Sequence, residues 1–297
     1  MPAVIIDGRV TSDQIKSELQ KDVIELAKKG IIPGLAAVLV GDDMASSIYV
    51  RNKAKACEQV GIHSEVIKYP GDVSEKELLD KVNQLNRRPD INGILVQLPL
   101  PKQISEEKVI IAIDPKKDVD GFHPFNVGMM WAGKPTFLPC TPYGIQQLLV
   151  RNGYDPAGKH VVILGRGSLV GKPLATILLQ KARGANATVT ICHTGTVDMA
   201  YFSKQADILV AAIGKAHFVG KDMVKPGAVV IDVGVNRLED KTTEKGYRVV
   251  GDVKYDEVSQ VAGAITPVPG GVGPMTIALL LTNTVKAAKE QKSSLRV

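Results

Sequence analysis

The sequence predicts an α/β protein of two domains, each built on a mostly parallel sheet. Three observations carry that reading. Strand-like and helical segments alternate along the chain, a strand breaks into a glycine turn and then a helix over KHVVILGRGSLVGKP (159–173), and 297 residues exceed the size at which a single core usually stops growing. The composition is globular, with 44% hydrophobic and 23% charged residues.

Ala3 to Ile6 reads as a short strand. A helix follows from about Thr11, where Thr11 and Gln14 match a capping box and Ile15, Leu19, Val23 and Leu26 form one apolar stripe ending at Gly30. LAAVLV (35–40) is a buried strand, Gly41-Asp42-Asp43 turns into a second helix that stops near Gly61, and residues 62–69 make another strand. SEKELLDKVNQLNRR (74–88) is a third helix leading to the apolar strand Ile94-Leu95-Val96. The first 140 residues therefore form one α/β domain, whose functional surface lies at the carboxyl ends of its strands. Three unusual segments fall there: Gly41-Asp42-Asp43 with its helix, Gln97-Leu98-Pro99-Leu100-Pro101, and Lys117-Asp118-Val119-Asp120-Gly121. After the proline-punctuated joint Phe137–Pro142, Thr141 as cap and Pro142 as first helical residue open the next domain, 141–274. Strands are expected at 208–213 and 229–233, helical character at 252–260, an extended loop at 265–274 and a long final helix from Met275 to about Glu290.

The glycine turn is where chemistry enters. Val161 to Leu164 end in Gly165-Arg166-Gly167, and a helical pattern follows, the order by which a Rossmann-type sheet presents a helix N-terminus to a phosphate. The next strand, NATVTICH (186–193), closes without the Asp or Glu that binds a ribose 2′-hydroxyl in NAD sites. Arg166, Thr194 and His193 offer cationic and hydroxyl groups suited to a 2′-phosphate, so NADP is the expected cofactor. A purely structural turn with a solvated arginine is the plainer alternative.

Composition narrows the remaining classes. The net charge of +6 is spread out, and aromatic residues are only 4%, which argues against a nucleic-acid surface. Three widely spaced cysteines with no C-x-x-C fit a reducing cytoplasm and no cysteine-rich metal site. No apolar run approaches the ~20 residues of a membrane span, and the N-terminus lacks a signal-peptide pattern. A soluble, cytoplasmic protein is expected.

Tyr49 and Lys53, four apart on one helix, share a face. They are either a half-exposed polar pair or an acid–base pair aimed at the carboxyl end of the sheet. Gln97, supported by Leu-Pro-Leu-Pro, either holds a ligand edge or bonds its own loop. Asp118 and Asp120, two apart with no adjoining His or further acid, are a weak metal signal, and no metal is expected. Asp120, beside a turn glycine, is better placed to accept hydrogen bonds from an amino-heterocycle.

Together these segments resemble the bifunctional methylenetetrahydrofolate dehydrogenase/methenyltetrahydrofolate cyclohydrolase family. The matching stretches are SIYVRNKAKA (47–56), VQLPLP (96–101), KDVDG (117–121), PCTP (139–142), GRGSLVGKP (165–173), VVGDV (249–253) and TPVPGGVGPMT (266–276). One departure is Gly167, where the family commonly has serine. The resemblance implies oxidation of 5,10-methylenetetrahydrofolate with NADP and hydrolysis of the methenyl product to 10-formyltetrahydrofolate. It implies Lys53 as the catalytic lysine, Gln97 positioning it, Tyr49 packing on the folate and Asp120 gripping the pterin. Val96, Leu98, Pro269, Gly270 and Gly273 are then further folate contacts, and Gly165, Arg166, Gly167, Thr194 and Val235 cofactor contacts. A cleft between the domains, a final helix (275–297) packing back on the first domain, and a homodimer are implied in the same way. Other readings of the residues are an NADP-dependent dehydrogenase of another small substrate, a relative that only oxidises, or a nucleotide-binding protein without catalysis.

Overall fold

The computed structural model describes residues 2–243 and 246–294. In chain order the elements are β1 (Val4–Ile5), α1 (Gly8–Ala27), β2 (Gly34–Val40), α2 (Met44–Val60), β3 (His63–Tyr69), α3 (Glu75–Arg87), β4 (Gly93–Val96), α4 (Glu106–Ala112), α5 (Pro124–Trp131) and α6 (Cys140–Arg151). They continue with β5 (His160–Leu164), α7 (Gly171–Leu178), β6 (Thr188–Cys192), α8 (Met199–Ser203), β7 (Ile208–Ala211), β8 (Val229–Asp232), β9 (Asn236–Glu239), β10 (Tyr247–Val250), α9 (Tyr255–Val258), β11 (Ala264–Ile265) and α10 (Val272–Ser294).

The chain divides into two compact units. The smaller sheet, β3-β2-β4, is wholly parallel and belongs to the unit of residues 13–140 and 277–297. Its central strand β2, GLAAVLV, is buried at every position, which is why it reads as a continuous apolar run rather than an alternating one. Helix α3 shows the opposite pattern: Leu78, Val82 and Leu85 at helical spacing face the core, and the Ser74 hydroxyl caps its start by accepting from Glu77 N. Asp43 caps α2 by accepting from Ser46 N, and Gly61 ends it in the left-handed conformation with φ 86°. The last helix is tied to this unit by Asn283, whose amide donates to Val119 O (2.8 Å) and Leu138 O (3.0 Å).

The other unit, up to residue 12 together with 141–276, carries a six-stranded sheet in the order β1-β11-β8-β7-β5-β6. The described pairings are all parallel. Its strands bury Val162, Leu164, Leu209, Ala211, Val230 and Ile265 in one core with Val219, Val253 and Val258. Strands β9 and β10 form a separate antiparallel hairpin.

Four sequence expectations differ from this. Helix α6 begins at Cys140, so Thr141 lies inside its first turn rather than capping it. The first strand was expected to open the domain 1–140, but Val4 and Ile5 pair with Ala264 and Ile265 and so extend the larger sheet. Two residues give periodicity too little to say which sheet they join. Helix α1 begins at Gly8 rather than Thr11: the Asp7 carboxylate accepts from Arg9 N (2.7 Å) and Val10 N (3.2 Å), and Thr11 instead turns its hydroxyl back on Asp7 O. Helix α10 starts at Val272, inside the stretch expected to be loop, because Pro274 in the first turn needs no intrahelical donor.

Candidate active site

In the unit with the three-stranded sheet the site is built around Lys53. Helix α2 leaves the carboxyl end of β2 and places Tyr49 and Lys53 on one face, while β4 delivers Gln97 from the neighbouring strand end. Lys53 is only 4% exposed, although it is a lysine. Its Nζ donates to Gln97 Oε1 at 3.0 Å and lies 4.9 Å from the centre of the Tyr49 ring. Gln97 is fixed in turn, its Nε2 donating to Leu98 O at 2.7 Å and its backbone N to Val38 O at 2.8 Å. The amide oxygen therefore points at the lysine as a neutral acceptor, one that does not consume the lysine's charge.

Burial sets the electrostatics. It pulls the Lys53 amine below the ordinary lysine value, with Asp120, Cys140 and Cys57 opposing the fall. It also holds the Asp120 carboxyl above the usual range, against the pull of Lys53. Both shifts favour the uncharged forms. Asp120 itself is carried on a loop that Asp118 organises. Asp118 is 2% exposed and accepts from Gly121 N (3.1 Å), Phe122 N (3.3 Å) and His123 N (2.8 Å), and from Asn126 Nδ2 (2.8 Å). That leaves no lone-pair direction for a metal, and among the described residues no group of three or more His, Cys, Asp or Glu is placed to hold one. Val96, Leu98 and Asp120 line a small cavity with Phe122. Sequence reasoning brought together Tyr49, Lys53, Gln97 and Asp120; it missed Cys57 and Cys140, whose only sequence signal is their place beside the motifs.

In the unit with the six-stranded sheet the glycine turn follows β5. Gly165 has φ 123°, and a Cβ there would meet Ala212 O at 2.1 Å. A Cβ on Gly171 would meet Gly165 O at 2.1 Å, so the start of α7 lies directly on the turn. Gly167 faces open space, with nothing within 4 Å of its Cβ position. Val170 makes no side-chain cap, but Lys172 N donates to Gly167 O (3.1 Å) and Pro173 has no N–H, so the first turn of α7 is largely closed by its own chain. Arg166 is exposed and its Nη1 lies 3.2 Å from His193 Nε2 at the end of β6, with Thr194 exposed next to it. A glycine cradle, an arginine and a hydroxyl, with no acid at the end of β6, fit a dinucleotide bearing a 2′-phosphate. Val235 is 73% exposed in the turn after β8. Pro269, Gly270 and Gly273 also lie in this unit: Pro269 is exposed, and Gly270 O accepts from Gly8 N at 2.9 Å.

Comparison with known proteins adds to this geometry. Residues 6–120 match the tetrahydrofolate dehydrogenase/cyclohydrolase catalytic domain, and residues 139–292 match the tetrahydrofolate dehydrogenase/cyclohydrolase NAD(P)-binding domain. The chain is 56% identical to the bifunctional protein FolD of Brevibacillus brevis over 291 residues, covering 98% of this chain and 99% of that one. Among solved structures it is similar to the bifunctional FolD methylenetetrahydrofolate dehydrogenase/cyclohydrolase of Campylobacter jejuni, with TM-score 0.91, 48% identity and coverage of 97% and 99%. It is also similar to the Trypanosoma brucei dehydrogenase-cyclohydrolase solved with NADP cofactor and an inhibitor, with TM-score 0.93, 39% identity and full coverage of both chains.

Proposed function

The chain belongs to the tetrahydrofolate dehydrogenase/cyclohydrolase family, and from that premise we propose that it oxidises 5,10-methylenetetrahydrofolate to the methenyl compound with NADP and then hydrolyses this to 10-formyltetrahydrofolate. The observation that carries the reading is the buried Lys53 held by Gln97 and Tyr49, with the charge of Asp120 acting on it.

The two steps ask different things of the protein. When bound, NADP supplies a hydride acceptor; the chain contributes alignment, because the folate nitrogen's lone pair assists hydride departure without a proton being moved. Arg166 and Thr194 take the 2′-phosphate, Gly165 and Gly167 let backbone approach the pyrophosphate, and Val235 contributes a contact from the turn after β8. Hydrolysis needs proton transfer. Water attacks the cationic methenyl carbon and gives a tetrahedral adduct, and a proton must pass from its hydroxyl to the ring nitrogen that leaves. Lys53, its amine brought below the ordinary lysine value by burial, accepts the hydroxyl proton and returns it to that nitrogen. Gln97 fixes the amine's position, Tyr49 packs on the folate, and Asp120 holds the pterin's amino edge. Val96, Leu98, Pro269, Gly270 and Gly273 complete the folate contacts.

We read the working form as a homodimer in the cytoplasm. Support comes from β6, an outer strand of its sheet with Ile191, Val197 and Tyr201 exposed in or shortly after it, and from three unpaired buried cysteines. Among the described residues no helix is long and apolar enough to cross a membrane.

The test is to supply 5,10-methylenetetrahydrofolate with NADP, and NAD in parallel, while following both reduced nucleotide and methenyl absorbance. Reduced nucleotide with little methenyl accumulation is expected. Persistent methenyl would leave a dehydrogenase alone, and no reduction with either nucleotide would overturn the reading.

A further inference from the structure

Two buried aspartates in the unit that carries the six-stranded sheet lie outside the residues assigned to either candidate site, yet they accept hydrogen bonds from several of the turns at the carboxyl ends of its strands. Asp252, 0% exposed, stands in the V-V-G-D-V stretch after β10. Its Oδ2 accepts from Ile213 N (2.7 Å) and Gly214 N (2.9 Å), the turn after β7. Its Oδ1 accepts from Asn236 Nδ2 (2.9 Å), which closes the Gly234-Val235-Asn236 turn after β8. Asp232, 4% exposed at the end of β8, accepts from Gly234 N and Asp252 N through Oδ1 (both 2.9 Å) and from Val253 N through Oδ2 (3.0 Å). The Asp232 backbone N donates to Thr266 Oγ1 (2.8 Å), at the start of the stretch that leads from β11 to α10. The fit leaves no spare room: a Cβ on Gly251 would meet Asp232 Oδ2 at 1.7 Å, and one on Gly234 would meet Asp252 N at 2.3 Å.

The sheet order tells what these loops face. The chain runs from β5 to β6 on one side and then crosses to β7 on the other, so the order reverses at β5 and the crevice lies at its carboxyl end. A dinucleotide with its phosphates on the glycine turn and its 2′-phosphate at Arg166 and β6 must send its other half toward β7 and β8. We propose that the Asp232–Asp252 clasp positions the Ile213-Gly214 and Val235 turns against the nicotinamide half of NADP. This rests on the NADP reading given above. Neither aspartate touches the cofactor; both are positioning residues.

Geometry also ranks the variants. Both oxygens of Asp232 accept backbone N–H groups, so Asp232→Asn sets an amide NH2 against a donor in either orientation. In Asp252→Asn the oxygen can keep Ile213 N and Gly214 N, while the NH2 donates to a flipped Asn236 amide. The experiment measures NADPH affinity by fluorescence titration, dehydrogenase kcat, and hydrolysis of supplied methenyltetrahydrofolate without nucleotide. Asp232→Asn should weaken NADPH binding or lower dehydrogenase kcat by roughly tenfold or more, with hydrolysis unchanged, and Asp252→Asn should keep most of both. Asn236→Ala, which removes only the tie to the Val235 turn, gives a milder loss of the same kind should Asp232→Asn fail to fold. Unaltered NADPH affinity and kcat in Asp232→Asn or Asn236→Ala, or equal loss of both activities in Asn236→Ala, would overturn the clasp. A wild-type protein that reduced no NADP would instead overturn the family reading.

Discussion

Replacing Lys53 by methionine separates the two proposed steps. Methionine nearly matches lysine in length and removes only the buried amine. The change withdraws one donor from Gln97 Oε1, a cost of about 1–3 kcal/mol if nothing replaces it. Asp120 also loses its cation, but burial already holds its carboxyl above the usual range, so it takes up a proton rather than standing as a bare charge. Relief of the amine's own burial offsets part of both terms, so the variant should fold. Hydrolysis loses its proton carrier, and a positioned acid–base group contributes roughly 10²–10⁴-fold. Hydride transfer loses no aligning group, since Tyr49, Gln97 and Asp120 remain. With 5,10-methylenetetrahydrofolate and NADP, the variant should therefore accumulate methenyl product in step with reduced nucleotide. Supplied methenyltetrahydrofolate should decay roughly 10²–10⁴-fold more slowly than with wild type. Hydrolysis within about tenfold of wild type would refute the lysine as proton carrier.

Arg166→Gln should raise the KM for NADP roughly 10–100-fold and leave that for NAD nearly unchanged, since it removes charge-assisted bonds to the 2′-phosphate; equal effects on both nucleotides would contradict the assignment. Gly167→Ser should be accepted without loss of thermal stability, because its Cβ meets nothing within 4 Å and its φ is not positive, and should tighten NADP by roughly 2–10-fold in calorimetry. The Asp232 carboxyl is pushed up to about 6, chiefly by burial, so the folded state holds its proton longer than the unfolded chain does. That contribution is present below the unfolded value of 3.8 and fades as pH rises through about 6, a loss of about 3 kcal/mol. Urea unfolding at pH 4 and pH 7 should show this fall in wild type and a smaller one in Asp232→Asn.

What the sequence disclosed follows from what each element needs locally. Helix α3 carries its own cap at Ser74 and an apolar stripe at 78, 82 and 85, and the turn after β5 requires glycine, so both were legible. Lys53 and Gln97 were legible as types at strand and helix ends, but their contact spans 44 residues and depends on β2 and β4 pairing in parallel register. The hairpin of β9 and β10 was not anticipated, because strands four residues long with burial alternating in only one of them give a weak period-two signal. Neither was the start of α1, since Asp7 caps it from a position that the stronger Thr11-x-x-Gln14 pattern overshadowed.

The buried aspartates were the least legible and explain why. K-D-V-D-G and V-V-G-D-V both suggest ligand chemistry, because an acid beside glycine at a strand end is where ligands bind. Asp118, Asp232 and Asp252 are nevertheless occupied by main-chain N–H groups. A loop that must leave its outer face open for a ligand cannot satisfy its donors in a ladder, and buried donors left alone are costly. A carboxylate set beneath the loop solves this, since its four lone-pair directions gather N–H groups from several turns at once. Aspartate rather than glutamate suits the task, because a short side chain loses less freedom on burial and holds its oxygens close to its own backbone. Around Lys53, the acid proposed to meet the ligand, Asp120, and the acid that shapes the loop, Asp118, are then two different residues two positions apart. Substitution of the first should change chemistry or binding directly, whereas substitution of the second should act only through the loop it holds.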